Sequence, residues 1–180
     1  LKYLCLYDVD KDYNLIRLLP NSLASFGSLC ISHDFKYASI IGPNDYIISV
    51  FDASNLNECL RINTLTNLST NLGDANENSS GLLFSREAAI RLCYAPMELN
   101  QLVCITSSNR LLKFDSKSGR LLSAISRVHR SLTDCVSISY DGAYLVTSGD
   151  NCIKIWDYEM RLEKNYQVKI FHFKKLFIIY

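Results

Sequence analysis

An aromatic residue followed by aspartate closes four apolar segments of this chain: "CLYD" at Tyr7-Asp8, "SVFD" at Phe51-Asp52, "LKFD" at Phe114-Asp115 and "KIWD" at Trp156-Asp157. The aspartates are separated by 44, 63 and 42 residues. This recurrence constrains the fold more than any single motif, because about 40–45 residues is the length of one four-stranded sheet in a radial β array. The middle interval is too long, and its excess has an evident place. Residues 64–81, "TLTNLSTNLGDANENSSG", are rich in Asn, Ser and Thr, contain no Lys or Arg and keep no period. They read as a polar surface insertion, and loops of this length are usually functional or disordered.

Each repeat resolves into short alternating segments bounded by turn residues, the pattern of half-buried strands. The last one reads "CVSISYDG", "AYLVTSG", "CIKIWD" and "KNYQVKIF", with Asp141-Gly142 turning the first pair. The one before reads "AIRLCYA", "QLVCITS", "RLLKFD" and "RLLSAIS", with Ser118-Gly119 as its last turn. The second reads "SLCISHD", "KYASII", "YIISVFD" and "ECLRIN" around the turn "GPND". The first supplies only "KYLCLYD" and "NLIRLLP". The expected fold is all-β, about three and a half four-stranded units ending near 8, 52, 115 and 157, open rather than closed.

Composition narrows the class. Of 180 residues, 48% are hydrophobic and 21% charged, which is a folded domain rather than a disordered tail. Net charge is +1 and the pI about 7.7, so no broad electrostatic footprint for nucleic acid is expected. Cysteines at 5, 30, 59, 93, 104, 135 and 152 are odd in number, loosely spaced and mostly inside apolar runs. They read as small core hydrophobes of a reducing, cytoplasmic compartment. With three histidines (33, 129, 172) and no paired ligand spacing, no zinc site or other cofactor is predicted. The chain opens on Leu1 within an apolar run and closes on "VKIFHFKKLFIIY", an apolar stretch interrupted by lysines. It reads as a fragment with an atypical tail at 169–180, too short and too charged for a membrane helix.

These residues resemble the WD-repeat β-propeller family over most of the chain. In that family a His before the inner strand, a hydroxyl on the second strand, an Asp in the next turn and the Trp of the third strand form a hydrogen-bonded tetrad. The resemblance assigns these places to His129, Thr147 or Ser148, Asp150 and Trp156. There are departures. Val128 stands where the family has Gly, and the turn between the second and third strands looks one residue short. The second repeat keeps Asp45 but has Ala24 near the place of the His. The third has Ser108 at the Asp position and no His. More narrowly, "IKIWDYEM" followed by "QV" is similar to the WD-repeat protein 90 group, large centriolar-wall propeller proteins; from Lys169 the sequence departs from that pattern. Membership implies a cytoskeletal, centriolar or ciliary setting and protein partners that are centriolar or tubulin-associated.

The residues themselves offer no convergent nucleophile, base or phosphate loop. The expected function is a non-catalytic protein–protein interaction scaffold, with no nucleic-acid, membrane or small-molecule partner. A soluble adaptor, such as a substrate receptor or coat subunit, is the alternative, and an enzyme built on a propeller a remoter one. The expected partner face carries Asn44, Asp45, Asn109, Arg110 and Asn151, together with the insertion. The basic stretch "RVHR" (127–130) reads as a solvated connector between repeats.

Overall fold

The computed structural model describes residues 3–20, 29–64, 88–96, 100–157 and 159–167. The insertion beyond Thr64, the tail at 169–180 and Ala24 lie outside the described residues. Within them the chain is all-β. Strands β1 (Tyr3–Asp8) and β2 (Asn14–Pro20) form a two-stranded antiparallel sheet. Strands β3 (Cys30–Ile31), β4 (Tyr37–Ile41), β5 (Ile47–Asp52) and β6 (Glu58–Asn63) form a second sheet in that order. The third comprises β7 (Ala89–Tyr94), β8 (Gln101–Thr106), β9 (Leu111–Asp115) and β10 (Leu121–Ile125). The fourth comprises β11 (Cys135–Ile138), β12 (Tyr144–Gly149), β13 (Cys152–Asp157) and β14 (Leu162–Gln167). Every neighbouring pair is antiparallel, each sheet is an up-and-down meander, and no sheet closes on itself. This is the expected open set of blades.

The sheets stack through both faces of their middle strands. Along β8 successive side chains alternate in direction. Leu102 and Cys104 join Ile41, Ile48 and Ile62 of the second sheet. Val103 and Ile105 join Val136, Leu145 and Trp156 of the fourth. Every residue of β8 is buried, which explains why "QLVCIT" reads as a near-continuous apolar run. The second sheet packs the same way on the first, through Ile40, Phe51 and Leu56 against Leu4. A buried polar link also joins the second and third sheets: Ser39 Oγ and Tyr94 Oη are 2.5 Å apart. The inner strands β3, β7 and β11 gather on one side, so His33 and Tyr140, from sheets two and four, meet edge to face at 6.3 Å.

The strand-end aspartates explain the repeat that first marks the sequence. Asp52 Oδ1 accepts the Ser54 N–H and hydroxyl, and Asp115 Oδ1 accepts the N–H groups of Lys117 and Ser118 and the Ser118 hydroxyl. Asp157 Oδ1 accepts the Arg161 N–H, and Asp8 Oδ1 that of Asp10. Each carboxylate closes the turn out of its third strand, the Asx geometry that favours Asp at such positions. For Asp52, Asp115 and Asp157 these bonds hold the carboxyl below its ordinary range. A second device repeats in "SHDFKY" and "SYDGAY" and was not anticipated. Ser32 and Ser139 each donate to the Asp two residues on, at 2.6 Å, and accept the N–H of the Tyr five residues on, at 2.9 Å.

All seven cysteines are free; Cys104 and Cys152 are buried and Cys59 is exposed. Burial pushes the thiols of Cys30, Cys93 and Cys104 well up, the behaviour of inert core groups.

The strand register generates a quantitative expectation. Ile48, Leu111 and Ile153 hold equivalent places on the face each sheet turns toward its successor. The first two are fully buried under the next sheet, whereas Ile153 is only partly buried. Truncation to Ala should cost about 2–5 kcal/mol at Ile48 and Leu111, and less than half as much at Ile153. Denaturant melts of the three variants check this; equal losses would contradict the stacking order.

Candidate functional site

The most elaborate polar construction among the described residues joins the third and fourth sheets. The segment 126–134 passes from β10 to β11 and is held from both sides. From the third sheet, the Asn109 carbonyl accepts the Val128 N–H at 2.8 Å. The Asn109 amide donates to the Ser131 carbonyl, and its Oδ1 accepts the N–H and hydroxyl of Thr133 at 2.8 and 3.2 Å. From the fourth sheet, Asp150 accepts the N–H groups of Arg130 and, at 2.5 Å, Ser131. Between these two grips Val128 and His129 are driven inward, at 0% and 2% exposure. Val128, standing where the family has Gly, thus becomes part of the apolar core between the sheets.

His129 Nε2 lies 2.9 Å from Thr147 Oγ1, and the Trp156 indole N–H donates to the same oxygen at 3.0 Å. An indole nitrogen can only donate, so Thr147 must accept from Trp156, and its remaining hydrogen-bonding capacity goes to the imidazole. Each of these groups is buried, and each would be costly without a partner. Ser148 takes no part: neighbours on a strand point to opposite faces, and it lies on the side away from Trp156. The other imidazole nitrogen, Nδ1, is 3.5 Å from Cys152 Sγ and 3.9 Å from Asp150 Oδ2. The aspartate therefore spends its oxygens chiefly on the connector's backbone and meets the histidine only as a distant charge. Its carboxyl is held below the ordinary range first by the Ser131 hydroxyl, then by the two backbone donors and by His129.

The turn that looked one residue short is a two-residue hairpin. Gly149 pairs with Cys152, and Asp150 and Asn151 have φ of 54° and 55°. Positive φ at both central residues is the type I′ geometry that suits the twist of a hairpin, and Asp and Asn tolerate it. Gly149 is needed for a separate reason: a Cβ there would stand 2.9 Å from His129 Cγ.

The residues of the expected partner face differ in exposure. Asn44, Asp45 and Asn151 are exposed on the β4–β5 and β12–β13 turns, and Arg110 is half-buried on the β8–β9 turn. Asn109, by contrast, is turned inward at 9% exposure, because its left-handed backbone (φ 58°) aims both amide atoms at the connector. The opposite end of the sheets carries two exposed aromatic rings. Phe35 and Tyr140 are each 79% exposed there, on the β3–β4 and β11–β12 turns.

The sequence pattern of the second beta-propeller of WDR90/POC16 matches residues 2–179. The chain belongs to this family. Curated relatives in the WDR90 family include WD repeat-containing protein 90 of Homo sapiens, 29% identical over 153 residues, and of Xenopus tropicalis, 28% identical over 153 residues. These alignments cover 85% and 82% of the chain, and 8% of each relative, so the chain spans about a twelfth of the proteins it matches. Among solved structures, a chain of the crystal structure of the Mitotic Checkpoint Complex superposes with a TM-score of 0.56 at 15% identity, covering 77% of this chain and 36% of that one. That likeness speaks for the propeller fold alone.

The network makes two expectations. Trp156→Ala should cost about 3–5 kcal/mol, and Thr147→Val, which strips the indole of its acceptor, about 1–3 kcal/mol. Asp150→Ala should lower the denaturation midpoint more than Asp45→Ala, whose side chain is exposed and grips no connector among the described residues. Equal shifts at the two aspartates would refute the clasp.

The second expectation concerns pH. Burial, and then the charge of Lys154, push the His129 imidazole below its ordinary value, with Asp150 opposing. The folded protein thus favours the neutral ring, while the unfolded chain takes up a proton near about pH 6.5. Stability from this burial is complete above that pH and is lost as pH falls through the folded value. The unfolding free energy should therefore drop between about pH 7 and about pH 5, before carboxylates titrate, and His129→Gln should remove that drop. An unchanged slope in the variant would contradict it.

Proposed function

We propose that this domain is a non-catalytic protein–protein interaction scaffold that works in a cytoskeletal, centriolar or ciliary assembly. The observation that carries the reading is the pair Phe35 and Tyr140, two large rings held in solvent on turns of a rigid sheet stack. Binding energy concentrates in aromatic anchors, and a pre-ordered surface loses little entropy on docking. Phe35 also has a φ of 58°, an unfavourable backbone region for a bulky residue. Neither its exposure nor its backbone is repaid by packing among the described residues. Tyr140 is steadied by an edge-to-face contact with His33. The propeller architecture supports display rather than chemistry, and kinship with WDR90/POC16 supports the centriolar setting.

The test is made in the full-length protein. Phe35→Ser with Tyr140→Ser should leave thermal unfolding unchanged, because both rings are exposed. It should cut recruitment to centrioles or cilia, and the yield of co-purifying proteins, several-fold. Normal recruitment and an unchanged set of partners would remove this rim as the docking surface. A wild-type protein spread evenly through the cytoplasm would favour the soluble adaptor instead.

A further inference from the structure

We infer that the cleft between the third and fourth sheets, at the end opposite Phe35 and Tyr140, is a binding site for an acidic peptide segment. It is an open cavity of about 600 Å³ lined by Ser108, Asn109, Arg127, His129, Arg130 and Lys154. Three of these six carry a full positive charge and none a negative one. The residues are far apart in sequence. The β8–β9 turn brings Ser108, the connector brings Arg127 and Arg130, and β13 brings Lys154.

The cations are not used up by the fold. Arg127 and Arg130 are exposed, and neither guanidinium has a carboxylate partner among the described residues. Lys154 Nζ donates to the Val128 carbonyl, which orients the ammonium without neutralising it. Its field reaches the imidazole beside it and helps keep that ring neutral. The Asp150 carboxylate is committed to the backbone of Arg130 and Ser131. Arg127 itself has a φ of 56°, an uncommon conformation for arginine. Strain of this kind persists where its surroundings over-determine it, and it clusters at binding sites.

Size and charge together select the ligand class. A cavity of this volume is far larger than one small anion needs and falls within the range of sites that enclose several groups of a ligand. Guanidinium groups pair with carboxylates in a bidentate fork, and the exposed Ser108 hydroxyl adds a donor. Two or three neighbouring Glu or Asp side chains of one extended segment match this set. A nucleic acid fits less well, because it would call for a broad basic surface and the chain's net charge is only +1. The site is separate from the aromatic rim, so either can fail without the other.

The protein carries its own reporter. Its single tryptophan, Trp156, has Lys154 Nζ 5.8 Å from the ring centroid, so a ligand that draws on Lys154 should change the indole emission. The experiment titrates the 180-residue chain with a labelled peptide rich in Glu and with the same peptide carrying Gln at each Glu, read by anisotropy and by Trp156 fluorescence. The Glu peptide should bind and perturb the emission, and the Gln peptide should not. Affinity should fall several-fold from about 50 to about 200 mM salt. Arg127→Glu with Arg130→Glu should weaken binding at least about tenfold, whereas Arg120→Glu, on the β9–β10 turn at the other end, should not. Equal binding of the two peptides, or undiminished binding by the double variant, overturns the proposal. So does tighter binding of an RNA oligonucleotide or of anionic vesicles. If the double variant fails to fold, the comparison of the two peptides on the wild-type chain decides alone.

Discussion

The connector between β10 and β11 is the constraint on which the rest of this structure depends. Two sheets that pack only through apolar faces can slide and twist against each other, because the hydrophobic effect has no direction. Here the chain between them is gripped by Asn109 from one side and Asp150 from the other. The grip fixes the depth to which His129 enters the fourth sheet, and so places its Nε2 against Thr147. Thr147 in turn holds the Trp156 indole, the largest side chain in the core between the two sheets. The result is one continuous path from the third sheet through the connector to β12 and β13. Between the second and third sheets the described residues make other links. There the Asp45 carbonyl accepts the Ala89 N–H at 2.7 Å, and Ser39 meets Tyr94. Among the described residues the rest of this join is apolar packing, through Ile41, Ile48 and Ile62 against Leu102 and Cys104.

The same clasp organises both candidate binding surfaces. By pinning residues 128–133 it sets Arg127 and Arg130 over the cleft beside Lys154. By fixing the start of β11 it also sets the register of the strand whose far end carries Tyr140. A scaffold of this kind works through rigidity: its surface is ordered before any partner arrives, so little binding energy is lost to ordering.

Much of this was legible in the sequence, for physical reasons that can be named. Strand alternation, paired turn residues and the aromatic-Asp endings are local, and they placed β5, β6, β9 and β13 within a residue of where they stand. The spacing of His129, Thr147, Asp150 and Trp156 could be read because strand register turns separation in sequence into position. Asn109 could not be read that way. It looked like a surface turn residue, and its inward aim follows from a left-handed backbone and from a partner, Thr133, 24 positions on. The connector's arginines looked like a solvated stretch because Lys154, which completes the basic cleft, lies on another strand. The Ser-x-Asp turns of "SHDFKY" and "SYDGAY" were in plain view; the signal was their shared spacing, masked by a third repeat that reads "YAPMELNQ" instead.

Native-state hydrogen exchange tests the central claim most directly. The amides of Val128, Arg130, Ser131 and Thr133 lie in an irregular connector, and without the clasp they would exchange as loop amides do. If the two grips make the connector part of the core, these four amides should be protected as strongly as those of β8 and β12, and should open with them in one cooperative step. Fast exchange at the four positions, with β8 and β12 still protected, would show that the sheets hold together without the clasp and would contradict the account.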